Sequence, residues 1–219
     1  MLYQICEEDK MDLRDQRIDY NKFYLTEAQA GTNPYDLFKT WFSDAAEVEA
    51  EVNIMMLGTS HNNHPQMRVV LLKEVIDEDF VFYTNYDSDK GQAIESNPNV
   101  SLLFFWGQHQ RQVRIEGIAS KVPAETSDEY FASRPRESQI GAHASAQSSV
   151  IDGRQVLEDR VRQLEPQYAS QDIPRPASWG GYAVKPVSFE FWQGRSSRLH
   201  DRIRFRLDNG NWVRERLSP

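Results

Sequence analysis

The sequence predicts a mainly β chain with added helices, an α+β protein whose strands close, or nearly close, into an antiparallel barrel. Three observations carry this. About six or seven stretches alternate apolar and polar residues or run apolar over a strand's length. Most are joined by short turn signals such as His61-Asn62-Asn63-His64-Pro65 and Asp208-Asn209-Gly210-Asn211, and short loops pair successive strands antiparallel. Helical periodicity falls in separate blocks before, between and after the strands. No glycine-rich loop follows a strand, so a Rossmann or P-loop phosphate site is not expected.

Composition sets the outer limits. The chain has 219 residues, 39% hydrophobic and 26% charged, which suits one globular domain of moderate size with helical additions. Residues 1–32 read as a polar N-terminal arm and 33–219 as the single domain. No apolar run is long enough to cross a membrane as a helix. The opening MLYQICEEDKMDLRDQ is acidic and lacks the apolar core of a secretory signal. Cys6 is the only cysteine, so no internal disulfide can form, and a cytoplasmic setting is expected. Five histidines and one cysteine show no zinc spacing, and no metal is expected. A net charge of −8 argues against nucleic acid as the partner.

Along the chain, a helix is predicted over 12–24, carrying Arg14, Arg17 and Tyr20. Asn33-Pro34-Tyr35-Asp36 starts the next one: Asn33 caps, Pro34 fits the first turn, and Asp36 suits the positive helix end. Leu37, Phe38, Trp41, Phe42 and Ala45 then recur at helical spacing, as a core face. Strands are predicted over 53–60, 66–75 and 80–85, with His61 and His64 as turn residues. Ser88 caps a short helix over 90–96, which Asn97-Pro98 ends. The run 100–106 is nearly all apolar and reads as a strand buried on both faces. The run 111–122 alternates, with Val113, Ile115 and Ile118 apolar. Helices follow over 123–133 and 152–168, the second capped by Asp152. Between them SRPRESQIGAHASAQSS has no period and reads as an irregular, functional stretch. A stiff linker, 173–181, leads to strands over 181–193 and 200–217.

The last strands hold the densest chemistry. Between Arg195 and Arg216 there are seven arginines in an acidic chain, which suggests a small anionic ligand held by fork-shaped donors. In an extended run His200, Arg202, Arg204 and Arg206 share one face, and Ile203, Phe205 and Leu207 take the core face. Arg68 and Lys73 flank VVLL at odd separation. Lys90 opens a helix, where free backbone N–H groups favour an anion. Tyr130, Arg134 and Ser138 stand four apart, a phosphate clamp if helical, although Pro135 interrupts the helix there. Two anion sites can be drawn: Arg68 with Lys90, and Lys73 with Tyr130, Arg134 and Ser138. Two phosphates beside an aromatic, arginine-rich strand pair suggest a phosphorylated cofactor next to a phosphorylated substrate.

The stretches RVVLLK (68–73), FYTN (82–85), NPNVSLLFFW (97–106), RQVRIEG (111–117), YFASRPRESQIGAHAS (130–145), QSS (147–149) and FWQGRSSRLHDR (191–202) together resemble the pyridoxine/pyridoxamine 5′-phosphate oxidase family. The match in order and spacing runs from about residue 33 to the end, and RPRESQIGA with RLHDR is its most specific part. The resemblance implies a split, Greek-key-like antiparallel β-barrel homodimer with flavin mononucleotide (FMN) bound at the subunit interface. The reaction it implies oxidises pyridoxamine or pyridoxine 5′-phosphate to pyridoxal 5′-phosphate. Hydride passes to the flavin, and O2 then takes the electrons and leaves H2O2.

By the same resemblance, FMN contacts fall on Arg68, Val69, Val70, Leu71, Leu72, Lys73, Tyr83, Thr84, Lys90, Gln112, Gln147, Ser148, Trp192 and Arg202. Substrate-phosphate contacts fall on Lys73, Tyr130, Arg134 and Ser138. Arg198 and His200, with Leu199 between them, match the catalytic pair against the substrate ring. Arg17 and Tyr20 match a pair that closes over the site. One position departs: the family commonly has Arg-Lys entering the short helix, where this chain has Asp89-Lys90. The resemblance leaves two alternatives: a related split-barrel flavin oxidoreductase acting on another substrate, such as a phenazine precursor, or a non-catalytic carrier of flavin and B6 phosphate.

Overall fold

The turn residues locate most of the strands, and the computed structural model, which describes residues 13–15 and 18–219, joins them into one nine-stranded sheet. Every pairing in it is antiparallel. β1 (Ile54–His61) and β2 (His64–Leu71) form a hairpin around Asn62-Asn63, whose φ values of 50° and 61° are those of the tight turn asparagine tolerates best among non-glycine residues. β8 (Asp201–Asp208) and β9 (Asn211–Leu217) do the same around Asn209-Gly210. His61 and His64 are the hairpin's flanking pair.

Closure follows from one short connection. The strand order is β2-β1-β5-β6-β7-β4-β3, with β8 and β9 added beside β7. β2 and β3 (Glu74–Ile76) lie at opposite ends of that order, yet only Leu72 and Lys73 join them. The sheet must therefore curl round to meet itself. The predicted single strand over 66–75 is in fact these two. The Leu72 amide still donates to Asn53 O on the β1 side, whereas the Lys73 amide donates to Val81 O of β4 (Asp79–Asn85). The chain changes partner between two successive residues, which makes a barrel corner. The structure has nine strands rather than six or seven because the run 66–75 divides at this corner, which carries no glycine or proline to mark it, and the run 200–217 divides into β8 and β9.

β7 (Trp179–Gln193) spans the barrel and splits its edge. Its first half pairs with β4 and its second half with β8, while β6 (Arg111–Lys121) runs along its other edge. The halves meet where a bulge shifts the β6 register after Glu116 and Pro186 stands opposite Gly117. A proline donates nothing to a ladder and tolerates such an irregular point. Gly117 is required there: a Cβ would sit 2.6 Å from the Lys185 carbonyl oxygen.

The core fills the barrel from one helix. α1 (Glu27–Ala30) is a single turn closed by a Thr26/Gln29 capping box. α2 (Pro34–Ala46) starts as its sequence requires, with Asn33 Oδ1 accepting from the Tyr35 amide at 2.9 Å. Its buried Leu37, Phe38, Trp41 and Ala45 face the barrel, and Phe38 meets Phe80 and Phe104 edge-on at 4.9 and 5.3 Å. Leu25 and Ala30, each 2% exposed, join the same core. Ile203 and Phe205 are buried, while Leu207 is partly exposed.

Several elements differ from their sequence reading. Residues 18–24 of the predicted 12–24 helix are not helical. The segment's polar groups reach the barrel instead, with Lys22 Nζ donating to Gln108 O and the Leu25 amide to Asp201 Oδ2. β5 (Asn99–Trp106) buries only alternate residues, and Phe105 is half exposed on the outer face. Ile118 faces outward as well. The stretch after α4 (Ala124–Ser133) contains a helix, α5 (Arg136–Ala144), where no period was legible. Its apolar face is narrow, and its anchor is polar: the buried Gln139 amide donates to the carbonyls of Phe131, Ala132 and Arg134. α6 (Arg154–Tyr168) begins after Gly153 without a side-chain cap, so Asp152 does not fill that role.

Candidate active site

Where α4 and α5 cover the β2–β3 corner and β4, a cleft of about 660 Å³ opens. Lys73 enters it from the corner, Tyr83 and Thr84 from β4, and Lys90 from α3 (Asp89–Ser96). Tyr130, Arg134 and Ser138 enter from the α4–α5 junction, and Val69, Val70, Leu71 and Gln147 are the other sequence-predicted residues on its lining. Pro135 does break the helix between Tyr130 and Ser138. The three residues meet on one cleft because the two short helices fold against each other there.

The electrostatics of the cleft suit an anion. Among the described residues its lining has three cations, Lys73, Lys90 and Arg134, and no carboxylate. Arg134 Nη1 is buried with no hydrogen-bond partner among them. Its guanidinium lies 4.6 Å from the Trp179 ring centroid, and burial pulls its pKa below the ordinary arginine value. A guanidinium stays charged regardless, so an arginine on the cleft lining with an unpaired nitrogen is a donor awaiting an acceptor. Tyr83 stacks on Tyr130 at 3.9 Å and on Trp179 at 5.5 Å, a rigid aromatic floor beside the clamp.

Lys90 sits in a hydrogen-bond chain. Its Nζ donates to Gln147 Oε1 at 2.8 Å, which also accepts from Thr84 Oγ1 at 3.1 Å. Burial first, then the Arg68 charge, lowers the Lys90 pKa. Arg68, on β2, reaches across to β1 and donates to Leu57 O and Thr59 Oγ1. It is off the cleft lining but electrostatically coupled to Lys90 and Asp89. Ser148 has φ 71° and accepts from the Asp89 amide through Oγ. Leu72 turns into the core, with its amide and carbonyl both bonded to Asn53.

The remaining site residues form a second group on the other side of the sheet order. Gln112, Trp192 and Arg202 are direct cross-strand partners on β6, β7 and β8. Their neighbours Val113, Phe191 and Ile203 are buried, so the row faces outward. Tyr20, Arg198 and His200 line a separate cavity of about 360 Å³. Leu199 is exposed. Arg17 lies outside the described residues. The two cavities share no lining residue.

Sequence reasoning missed Trp179, which lines the cleft; it fell within the stretch 173–181 read as a linker, whereas the structure starts β7 there. It also missed Glu190, 3% exposed between Arg114 and Arg202, although an acid inside FEFW opposite an arginine-rich strand is a legible signal.

Asp89 opens α3, with Ser88 rather than Asp89 as its cap. Its charge favours the protonated forms of Arg68 and Lys90, so it competes with any anion these cations hold. For an exposed group the competition is worth roughly 1 kcal/mol. Asp89→Arg should tighten binding of a phosphorylated cofactor about fivefold, and the gain should shrink as salt rises. Dissociation constants at low and high salt check this; an unchanged constant at low salt would rule out the competition.

A split antiparallel barrel with an acid-free cationic cleft and an outward aromatic–arginine row defines a binder of phosphorylated ligands. Two family models match the chain: pyridoxamine 5′-phosphate oxidase over residues 43–168, and pyridoxine 5′-phosphate oxidase C-terminal dimerisation region over 179–219. The chain belongs to the pyridoxamine 5′-phosphate oxidase family. It is 51% identical to the pyridoxine/pyridoxamine 5′-phosphate oxidase of Leptospira biflexa, over 95% of this chain and 99% of that one. It is 49% identical to the same-named protein of a Cyanothece species, again over 95% and 99%. Among solved structures, PhzG from Burkholderia lata, in complex with tetrahydrophenazine-1-carboxylic acid, is similar at TM-score 0.83 and 26% identity, covering 91% of this chain and all of that one. A pyridoxamine 5′-phosphate oxidase-related, FMN-binding protein from Nostoc punctiforme shares the fold at TM-score 0.68 and 13% identity, covering 85% and 98%.

Proposed function

We propose that this chain is an FMN-dependent oxidase that converts pyridoxamine or pyridoxine 5′-phosphate to pyridoxal 5′-phosphate. The observation that carries the reading is the buried, unpartnered Arg134 Nη1 in a cleft lined by three cations and no carboxylate, in a chain about half identical to oxidases of that name over nearly its whole length. In this reading Lys73, Tyr130, Arg134 and Ser138 hold the substrate phosphate. Fixing that phosphate makes the oxidation step effectively intramolecular.

The donor set also fits a phosphorylated flavin. Arg68, Lys90 and Ser148 supply the charge and hydroxyl for its phosphate, with Val69, Val70, Leu71, Tyr83, Thr84 and Gln147 beside it. When bound, FMN supplies the hydride acceptor, and the protein supplies position and field. O2 as the final acceptor and a cytoplasmic setting belong to the same reading; the single cysteine, Cys6, supports the latter.

A homodimer completes the site in this reading. Gln112, Trp192, Arg198, His200 and Arg202 come from a second copy and close over the first copy's cleft. The support is threefold: the two cavities of one chain are separate, the outer face exposes Met67, Val69 and Phe105, and the C-terminal segment matches a dimerisation region. An outward apolar patch beside a half-site is the expected form of such an interface.

The likeness to PhzG favours a second reading, oxidation of a phenazine precursor. A phosphate-free substrate would leave Arg134 unpaired, which weighs against it. The test is anaerobic addition of pyridoxamine 5′-phosphate to the purified yellow protein. Bleaching of the flavin band, with pyridoxal 5′-phosphate formed, is the expected result. No bleaching in flavin-replete protein would overturn the oxidase reading.

A further inference from the structure

His200 is enclosed on three sides. Its ring lies 4.5 Å from Trp192 and 6.1 Å from Tyr20. Tyr20 in turn packs on Gly194, where a Cβ would stand 2.7 Å from its ring. On the third side, the Arg195 backbone N–H donates to His200 Nδ1 at 3.0 Å. A backbone amide can only donate, so Nδ1 must carry a lone pair. The neutral ring's proton is then on Nε2.

The loop bearing that amide is held by Asp201. Asp201 Oδ2 accepts from Arg195 Nη1 and from the Leu25 amide, each at 3.0 Å. Its Oδ1 accepts from Arg216 Nη1 at 3.0 Å. One carboxylate thus ties together the arm, the 194–196 loop and the C-terminal strand. Ser196 Oγ adds a bond from the same loop to Asp19 Oδ2 on the arm.

We propose that His200 serves the reaction as a neutral hydrogen-bond donor through Nε2, and that Asp201 is the positioning residue that holds it in that tautomer. The inference rests on the oxidase reading and deepens it. It excludes His200 as the base that accepts a substrate proton, because its only basic nitrogen is already bonded to the Arg195 amide. The charged and titratable groups around the ring are Arg195, Arg198 and Asp201 on its own segment and Asp19 and Tyr20 on the arm. Burial first, and then Arg198, lowers the ring's pKa, in keeping with a neutral donor. The sign is definite: falling pH charges the ring, breaks the Nδ1 bond and weakens substrate binding, and the change falls below the ordinary histidine range.

Nitrogen NMR of the flavin-loaded protein at mildly alkaline pH reads the tautomer directly. The expected result is a pyridine-like Nδ1 and a pyrrole-like Nε2 at His200. The reverse tautomer, or a charged ring, would overturn the proposal. Asp201→Asn should mix the tautomers and raise KM for pyridoxamine 5′-phosphate roughly tenfold, the scale of one bond to a charged group, with flavin content unchanged. Wild-type KM and tautomer in that variant would remove Asp201 from the role. If Asp201→Asn fails to fold, Arg195→Gln breaks the same ion pair while keeping the amide, and the same readouts apply. His200→Gln, which retains a donor, should keep more activity than His200→Glu, which retains only a base; the opposite order would overturn the donor role. The NMR result does not depend on turnover. A chain with the stated tautomer that fails to oxidise B6 phosphates therefore rejects the oxidase reading alone.

Discussion

Arg134→Met should all but abolish capture of the phosphorylated substrate while making the ligand-free protein more stable. In the cleft the Arg134 side chain is half-buried, and its Nη1 has no partner among the described residues. A phosphate would accept two parallel bonds from it, each worth about 1.5–3 kcal/mol for charged partners. Losing about 3 kcal/mol or more corresponds to a rise of over a hundredfold in KM. The ligand-free protein, by contrast, loses a half-buried charge with one unpaired nitrogen, which is costly to hold. It also loses the contact with Trp179 at 4.6 Å, but a methionine sulfur against the same ring replaces part of that. Arg134→Lys should fall between, since an ammonium cannot match two phosphate oxygens at once. Steady-state kinetics, flavin content and a thermal melt without ligand read all three effects. Equal weakening of flavin and substrate would mean that Arg134 serves the cofactor's phosphate instead.

The second large effect lies across the sheet. Glu190→Ala should destabilise the fold by about 1–3 kcal/mol, below the scale of a fully buried ion pair because both arginines stay partly exposed. The Glu190 carboxylate is 3% exposed and holds two arginines apart. Its Oε1 accepts from Arg202 Nε at 2.9 Å and its Oε2 lies 2.8 Å from Arg114 Nη2. Without it, two partly exposed guanidinium groups share the outer face with no anion between them. Arg202 would also lose its orientation in the Gln112–Trp192–Arg202 row, so flavin content should fall with stability. Glu190→Gln keeps an acceptor of the same shape and should cost less than the alanine change. Urea unfolding at constant m-value measures both. A midpoint near wild type for Glu190→Ala would show that the two arginines find other partners.

The site was legible wherever a residue's chemistry is local. Lys90 could be placed because Ser88 caps α3 in the sequence as in the structure. Tyr130, Arg134 and Ser138 could be grouped by motif, although the helical spacing first invoked for them is broken at Pro135. Leu72 shows the limit. It belongs to a continuous motif, yet the barrel corner turns it into the core. Asp201 was out of reach as a positioning group, because the Arg216 and Leu25 groups it binds are brought beside it only by the folded sheet.

By itself the sequence determined the hairpin turns, the Asn33 and Ser88 caps and the alternation of most strands. Asn62-Asn63, Asn209-Gly210 and Asn33-Pro34 act on their own backbone within a few residues, so nothing distant can change their meaning. The tertiary structure alone decided that the run 66–75 changes partner between Leu72 and Lys73 and closes the barrel. It also decided that α5 forms around a polar anchor, and that the arm lies along the barrel through Asp201. In each case the deciding bond joins one element to another rather than closing a turn within its own. A strand's period says which side chains share a face, but not which strand lies opposite, and that pairing is set by how the whole sheet buries its core.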